Sequence, residues 1–179
     1  MQEELKELIL QYQRGEITNE VFISQLLLDK SQKTSFVRNL FKSIIVSKDG
    51  ANVDYGLTVL GVLEENNEFI DIVHQLILEP WHGQYENIAH DLQSRMSELS
   101  IPFLKIAMQR KYDYLESYGT GTRQFINQCG HALWQIGTEE ALNVIKDLSK
   151  SNDPVVQDEM LYRISKIQGN NNYERNYDL

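Results

Sequence analysis

Apolar residues recur at helical spacing along almost the whole of this chain, and no segment carries the paired alternating runs and tight turn of a β-hairpin. That periodicity constrains the fold most, because a stripe of Leu, Ile, Val and Phe at offsets of three and four residues has to be buried against another element. Leu5, Leu8, Ile9 and Tyr12 form the first such stripe, and Gly15 stops it. Thr18 or Asn19 caps a second helix that is expected to carry Val21, Phe22, Leu26 and Leu27 inward. A third is predicted over 31–47; its Ile44-Ile45-Val46 triplet has strand character, but Phe36, Leu40, Phe41 and Ile44 keep helical spacing. Asn52 is the expected cap of a fourth helix through Leu57, Leu60 and Leu63. Phe69, Ile70, Val73, Ile77 and Leu78 make a fifth, closed by Pro80. Further helices are expected over 84–96, 101–110, 123–136, 139–150 and 154–167, with Pro102 in a tolerated first turn. The remainder, 168–179, lacks periodicity and is expected to be a disordered tail.

With 179 residues, 41% of them apolar, the chain can bury one sizeable core, so a single domain over 1–167 is expected. Three prolines and ten glycines exclude a fibrous or linker-rich chain. No run of apolar residues is long enough to cross a membrane, and the acidic, amphipathic start Met1-Gln2-Glu3-Glu4 is unlike a secretory signal. The one cysteine, Cys129, cannot form an internal disulfide, which points to a cytoplasmic setting.

About ten helices joined by short connections, in helix–turn–helix units, predict an all-α solenoid of antiparallel helix pairs wound as a right-handed superhelix. The last units carry the pattern best. Phe125, Cys129, Leu133 and Ile136 face inward, Gly137 stops the helix, and Thr138 caps the next, whose Ala141, Ile145 and Leu148 face back. Ser151-Asn152-Asp153-Pro154 then restarts the pattern with Val156, Met160, Leu161 and Ile164.

The segment Ala132-Leu133-Trp134-Gln135-Ile136-Gly137-Thr138-Glu139-Glu140-Ala141, followed by the Asn-Asp-Pro turn, resembles the repeat signature of HEAT-like helical repeat proteins. From Glu79-Pro80-Trp81-His82 through Asp91-Leu92-Gln93 and Tyr112-Asp113-Tyr114-Leu115 to Ile167, the chain is similar to small bacterial HEAT-like proteins, several groups of which are immunity proteins of interbacterial toxins. It departs from their pattern at Tyr85, Asn87, Asn127 and Gln128, so no site residues are carried over. The resemblance implies a HEAT-like solenoid and a toxin-neutralising binding role.

The net charge of −9 argues against a broad nucleic-acid footprint, which depends on Lys and Arg. Between Asp49 and Asp91 lie nine carboxylates and no Lys or Arg, leaving 17 acids against 17 bases elsewhere. Just before it Lys30, Lys33, Arg38, Lys42 and Lys48 run without an acid. An acidic stretch so uncompensated is either a solvated face or a surface for a cationic partner. The sequence Tyr112-Asp113-Tyr114-Leu115-Glu116-Ser117-Tyr118 places three tyrosines and two carboxylates in one connection, either packed between repeats or exposed as a contact patch.

Other constellations have plainer readings. His82, Glu86 and His90 share a face if one helix holds them all, but about two turns of helix, roughly 12 Å, separate the ends, too far for one ion. Trp81 and His82 are read as an indole packed in the core beside a capping histidine, with an exposed anchor as the alternative. Cys129 falls on the apolar stripe, and His131, two residues on, points elsewhere. Gly119-Thr120-Gly121-Thr122-Arg123 lacks the ending of a phosphate loop and is read as a connection.

The expectation is therefore a binding protein, not an enzyme, without metal or cofactor. Its partner is a cationic protein, such as a basic nuclease toxin, met by Glu64, Glu65, Glu68, Asp71, Glu86, Asp113, Tyr114 and Glu116. The alternatives are a general scaffold or regulatory subunit, and a nucleic-acid binder that uses the basic 30–48 segment.

Overall fold

The computed structural model describes residues 1–117, 119–170 and 173–175. Eleven α-helices and one short 3₁₀ turn, Glu98–Ser100, account for its regular structure, and no strand occurs among the described residues. The chain divides into two compact units, Met1–Ile72 and Val73–Leu179.

The first unit contains α1 (Glu3–Gln13), α2 (Asn19–Gln25), α3 (Lys30–Ser47), α4 (Ala51–Leu63) and the start of α5 (Ile70–Ile77). Helices α1, α2 and α3 each pack on α4. The reason lies in α4's composition: Val53, Val59, Leu60 and Leu63 are all buried, as are Ile9 on α1, Phe22 on α2 and Phe41 and Ile44 on α3. Thr18 caps α2 by accepting from the Val21 N–H, as its residue type predicts. Asp29 and Gln32 form a reciprocal capping box that starts α3 one residue before the predicted boundary.

Three readings of this unit are corrected. Val21 and Leu27 are exposed, Leu27 to 87%. Helix α2 stops at Gln25, so Leu27 sits beyond it with a positive φ of 53° and off its buried face. Asn52 does not cap α4; it is buried one residue inside the helix, and Asp49 receives both its backbone N–H and its side-chain amide.

The second unit contains the remainder of α5, then α6 (Tyr85–Arg95), α7 (Ile101–Met108), α8 (Asp113–Glu116), α9 (Gly121–Ile136), α10 (Glu139–Leu148) and α11 (Pro154–Ile167). Helix α9 is its hub, packing against α6, α7, α8, α10 and α11. Phe125, Cys129 and Leu133 are buried, with Ile126 and Ala132 filling a second side, so α9 has a wide apolar arc. Thr138 caps α10 and Asp153 caps α11, accepting from Val155 and Val156 N–H groups at 2.9 and 3.2 Å. Helix α8, four residues long, was not anticipated. In α11 Val156, Glu159, Met160 and Arg163 are buried at helical spacing, with Asp158 and Ser165 also buried, whereas Leu161, expected inside, is exposed.

Candidate functional site

The acidic candidates of the first unit are partly tied down by neighbours from distant sequence. Arg38 grips Asp71 with both guanidinium nitrogens, at 2.8 and 3.4 Å, and donates to the Glu68 carbonyl at 3.3 Å. This bidentate bond holds the Asp71 carboxyl below its ordinary range. Thr34 reaches Glu68 at 3.4 Å, and Glu64 accepts from the Phe69 N–H at 2.9 Å beside the start of α5. Glu65 and Glu68 face solvent. The stretch without Lys or Arg is thus compensated in space at Asp71, by a base 33 residues away.

In the second unit Glu86 is half-buried and lines a hollow of about 310 Å³ with Gln124, Asn127 and Gln128. Asp113, Tyr114 and Glu116 stand together on α8 and are exposed, whereas Tyr112 and Leu115 are buried. Tyr118 lies outside the described residues. The mixed fate of the tyrosines follows from the aromatic cluster beneath them. Tyr112 packs 4.3 Å from the ring of Tyr85 and donates its hydroxyl to the Ile77 carbonyl at 2.8 Å; Phe125 meets both rings edge-on. Burial pushes the Tyr85 hydroxyl up to about 12. The next tyrosine, Tyr114, is 47% exposed, yet its ring is held over Gly83: a Cβ at that position would lie 2.6 Å from the ring carbon. Only a residue without a side chain permits that approach. Lys111 comes to 3.8 Å of Glu116, an exposed contact of little energetic weight.

The histidine and cysteine candidates take structural positions. His82 precedes α6 and is buried; its Nδ1 accepts from the Gln84 N–H at 3.1 Å, so the proton sits on Nε2, 2.8 Å from the Leu76 carbonyl. Burial depresses its basicity. His90 is exposed on α6, so the two histidines do not share a site with Glu86. Trp81 is half-buried and donates to Glu79 at 2.7 Å. Cys129 is fully buried, and burial pushes its thiol well up. Of the glycine-rich connection, Gly121 and Thr122 begin α9, and Arg123 turns inward to Asp158 at 3.3 Å.

A cleft of about 780 Å³ in the second unit went unread in the sequence. Helix α9 contributes Asn127, His131 and Trp134; α11 contributes Tyr162, Arg163 and Lys166; and Tyr173 to Arg175 close one side. Under it lies a buried ionic network. Glu159 accepts from Arg163 at 2.5 Å and from Arg175 at 3.0 Å, while Arg163 also reaches the Asn127 backbone and side-chain oxygens at 3.3 and 3.1 Å. Asp158 pairs with Arg123 and accepts from the Tyr173 hydroxyl at 2.9 Å. Burial pushes the Glu159 carboxyl up, against the pull of its two guanidiniums. Arg163, Lys166 and Arg175 all surround the ring of Tyr162, Arg175 most closely at 3.7 Å from its centroid. His131 meets the Trp134 ring edge-on at 5.2 Å, with its Nδ1 2.6 Å from the Gln93 amide. The stretch expected to be a tail therefore makes specific contacts at Tyr173 and Arg175, because an aromatic hydroxyl and a guanidinium there find buried carboxylates; 171–172 and 176–179 lie outside the described residues.

No protein-family model matches this chain, and no curated protein or solved structure matches it. Among the described residues no helix is long and apolar enough to cross a membrane.

Proposed function

We propose that this chain is a non-catalytic protein-binding module built of HEAT-like helix pairs, and that it neutralises a cationic partner, a toxin domain being the class its resemblance implies. The observation that carries the reading is Tyr114: a half-exposed ring lying against Gly83 and flanked on the same short helix by the exposed carboxylates Asp113 and Glu116. An aromatic surface with adjoining acids suits a Lys- or Arg-rich partner, since the ring adds contact area at little entropic cost and the carboxylates steer the encounter. Glu65 and Glu68 give the first unit a separate exposed acidic edge; Asp71, engaged by Arg38, contributes less. The repeat-like reading draws support from the succession α9, α10 and α11, each packed on the others. The burial of Cys129 and the backbone bonds of His82 favour structural over chemical roles for both.

Co-expression with the products of adjacent genes tests this. The expected result is one basic protein, toxic alone, that forms a salt-sensitive one-to-one complex and loses its toxicity. A chain that rescues no neighbouring toxic product and retains only a mixed set of housekeeping proteins is a general scaffold instead.

A further inference from the structure

The cleft between α9 and α11 is a concentration of positive charge and aromatic surface in an acidic protein. Among the described residues Arg163, Lys166 and Arg175 come together here, with Glu159 beneath and Glu174 at the wall, in a chain of net −9. Its volume, about 780 Å³, falls within the range of small-molecule sites. Flat surfaces are available: Trp134 is 40% exposed, and the Arg175 guanidinium is layered on Tyr162. Aromatic rings and guanidinium planes are the two surfaces on which nucleobases stack.

Arg175 is also incompletely satisfied. Its Nε is the one buried side-chain polar atom among the described residues without a hydrogen-bond partner, although the same guanidinium pairs with Glu159. An orphaned buried donor is costly, and an oxyanion in the cleft relieves that cost by drawing the guanidinium round. Glu159 is shared between Arg163 and Arg175, and Arg163 keeps its two bonds to Asn127, so a second anion beside Arg175 leaves Arg163 fully partnered.

We infer that this cleft binds a small anion carrying a planar ring, of the nucleoside monophosphate class, with the ring on Trp134 and the phosphate between Lys166 and Arg175. An extended nucleic acid is a poorer fit, since the net charge of the chain opposes a long phosphate backbone. This site is independent of the protein-binding surface on α8.

The chain has two tryptophans, so Trp81→Phe leaves Trp134 as the sole reporter. Titrating that variant at low salt with AMP and GMP should give a saturable change in Trp134 emission. Adenosine and inorganic phosphate, which each lack half of the ligand, should bind at least about tenfold more weakly, the equivalent of losing one charge-assisted bond. Lys166→Gln and Arg175→Gln should each weaken AMP by a similar factor with the far-UV spectrum unchanged. Calorimetry on the unaltered chain reads the same affinities if Trp81→Phe impairs folding. The inference is overturned if no nucleotide saturates at millimolar concentration, if phosphate alone binds as tightly as AMP, or if an acidic peptide binds and nucleotides do not.

Discussion

Replacing Arg163 with methionine isolates the buried network that shapes the second unit. Methionine keeps the packing of the arginine stem but removes the charge, which in the native protein donates to Glu159 at 2.5 Å and to both oxygens of Asn127. Arg163 and Glu159 are each only 4% exposed, so solvent cannot replace the lost partner. Breaking one half of such a buried pair costs about 3 to 5 kcal/mol, a large part of the stability of an ordinary domain. Arg175 remains beside Glu159, which places the expectation nearer 3 kcal/mol. The pH dependence is more diagnostic than the size. Burial already holds the Glu159 carboxyl above its ordinary value, and Arg163 is the strongest of the groups pulling it back. Removing Arg163 raises the folded-state value further. A group raised on folding contributes stability that is fully present below its unfolded value and is lost as pH rises through the folded one. Urea unfolding should therefore show a larger loss near pH 8 than near pH 5, about the unfolded carboxylate value. Adding Glu159→Gln removes the under-compensated charge, and because it also takes the ion-pair partner of Arg175 it should return only about 1 kcal/mol near pH 8. A loss under about 0.5 kcal/mol, a loss independent of pH, or a double variant less stable than the single one refutes this account.

Three further outcomes follow from particular contacts. Gly83→Ala places a methyl 2.6 Å from the Tyr114 ring, whose exposed side chain can swing aside; stability should change by under about 1 kcal/mol while partner binding weakens about tenfold, as for Tyr114→Ala. Cys129, buried with its thiol pushed up, should react with a disulfide reagent only on unfolding, and a native-state rate close to that of a free thiol contradicts the burial. His82 is depressed by burial, so its contribution is complete above about 6.5 and is lost as pH falls through its folded value; its ring protons in NMR should titrate below 6.5.

The helices legible in the sequence are those whose inner face is purely apolar. Phe125, Cys129 and Leu133 in α9, and Ala141, Ile145 and Leu148 in α10, declare themselves by spacing alone, and Thr138 and Asp153 mark the starts by residue type. Helix α8 is too short to show a period, with Leu115 its one buried residue, and the burial of Tyr112 just before it is read only against the aromatic cluster it joins. In α11 the inner face carries Glu159 and Arg163, which hydrophobic periodicity scores as solvent-facing; their burial depends on meeting each other, Asn127 and Arg175. For the same reason the cleft was invisible: its cations come from α11 and from Arg175, in a stretch with no apolar pattern. The charge run from Asp49 to Asp91 is a property of the linear chain, and Arg38 at Asp71 shows that folding redistributes it. Among the contact candidates Glu65, Glu68, Asp113, Tyr114 and Glu116 combine a legible residue type with an exposed position.

The most direct test of a protein-binding role compares the native chain with a variant carrying Asp113→Asn, Tyr114→Ala and Glu116→Gln, each as bait in a lysate of its own organism. The account predicts that the native chain retains a basic protein released by moderate salt, and that the variant, equally folded, loses it. Retention of the same protein by both baits, or no basic protein on either, contradicts the assignment of α8 as the binding surface.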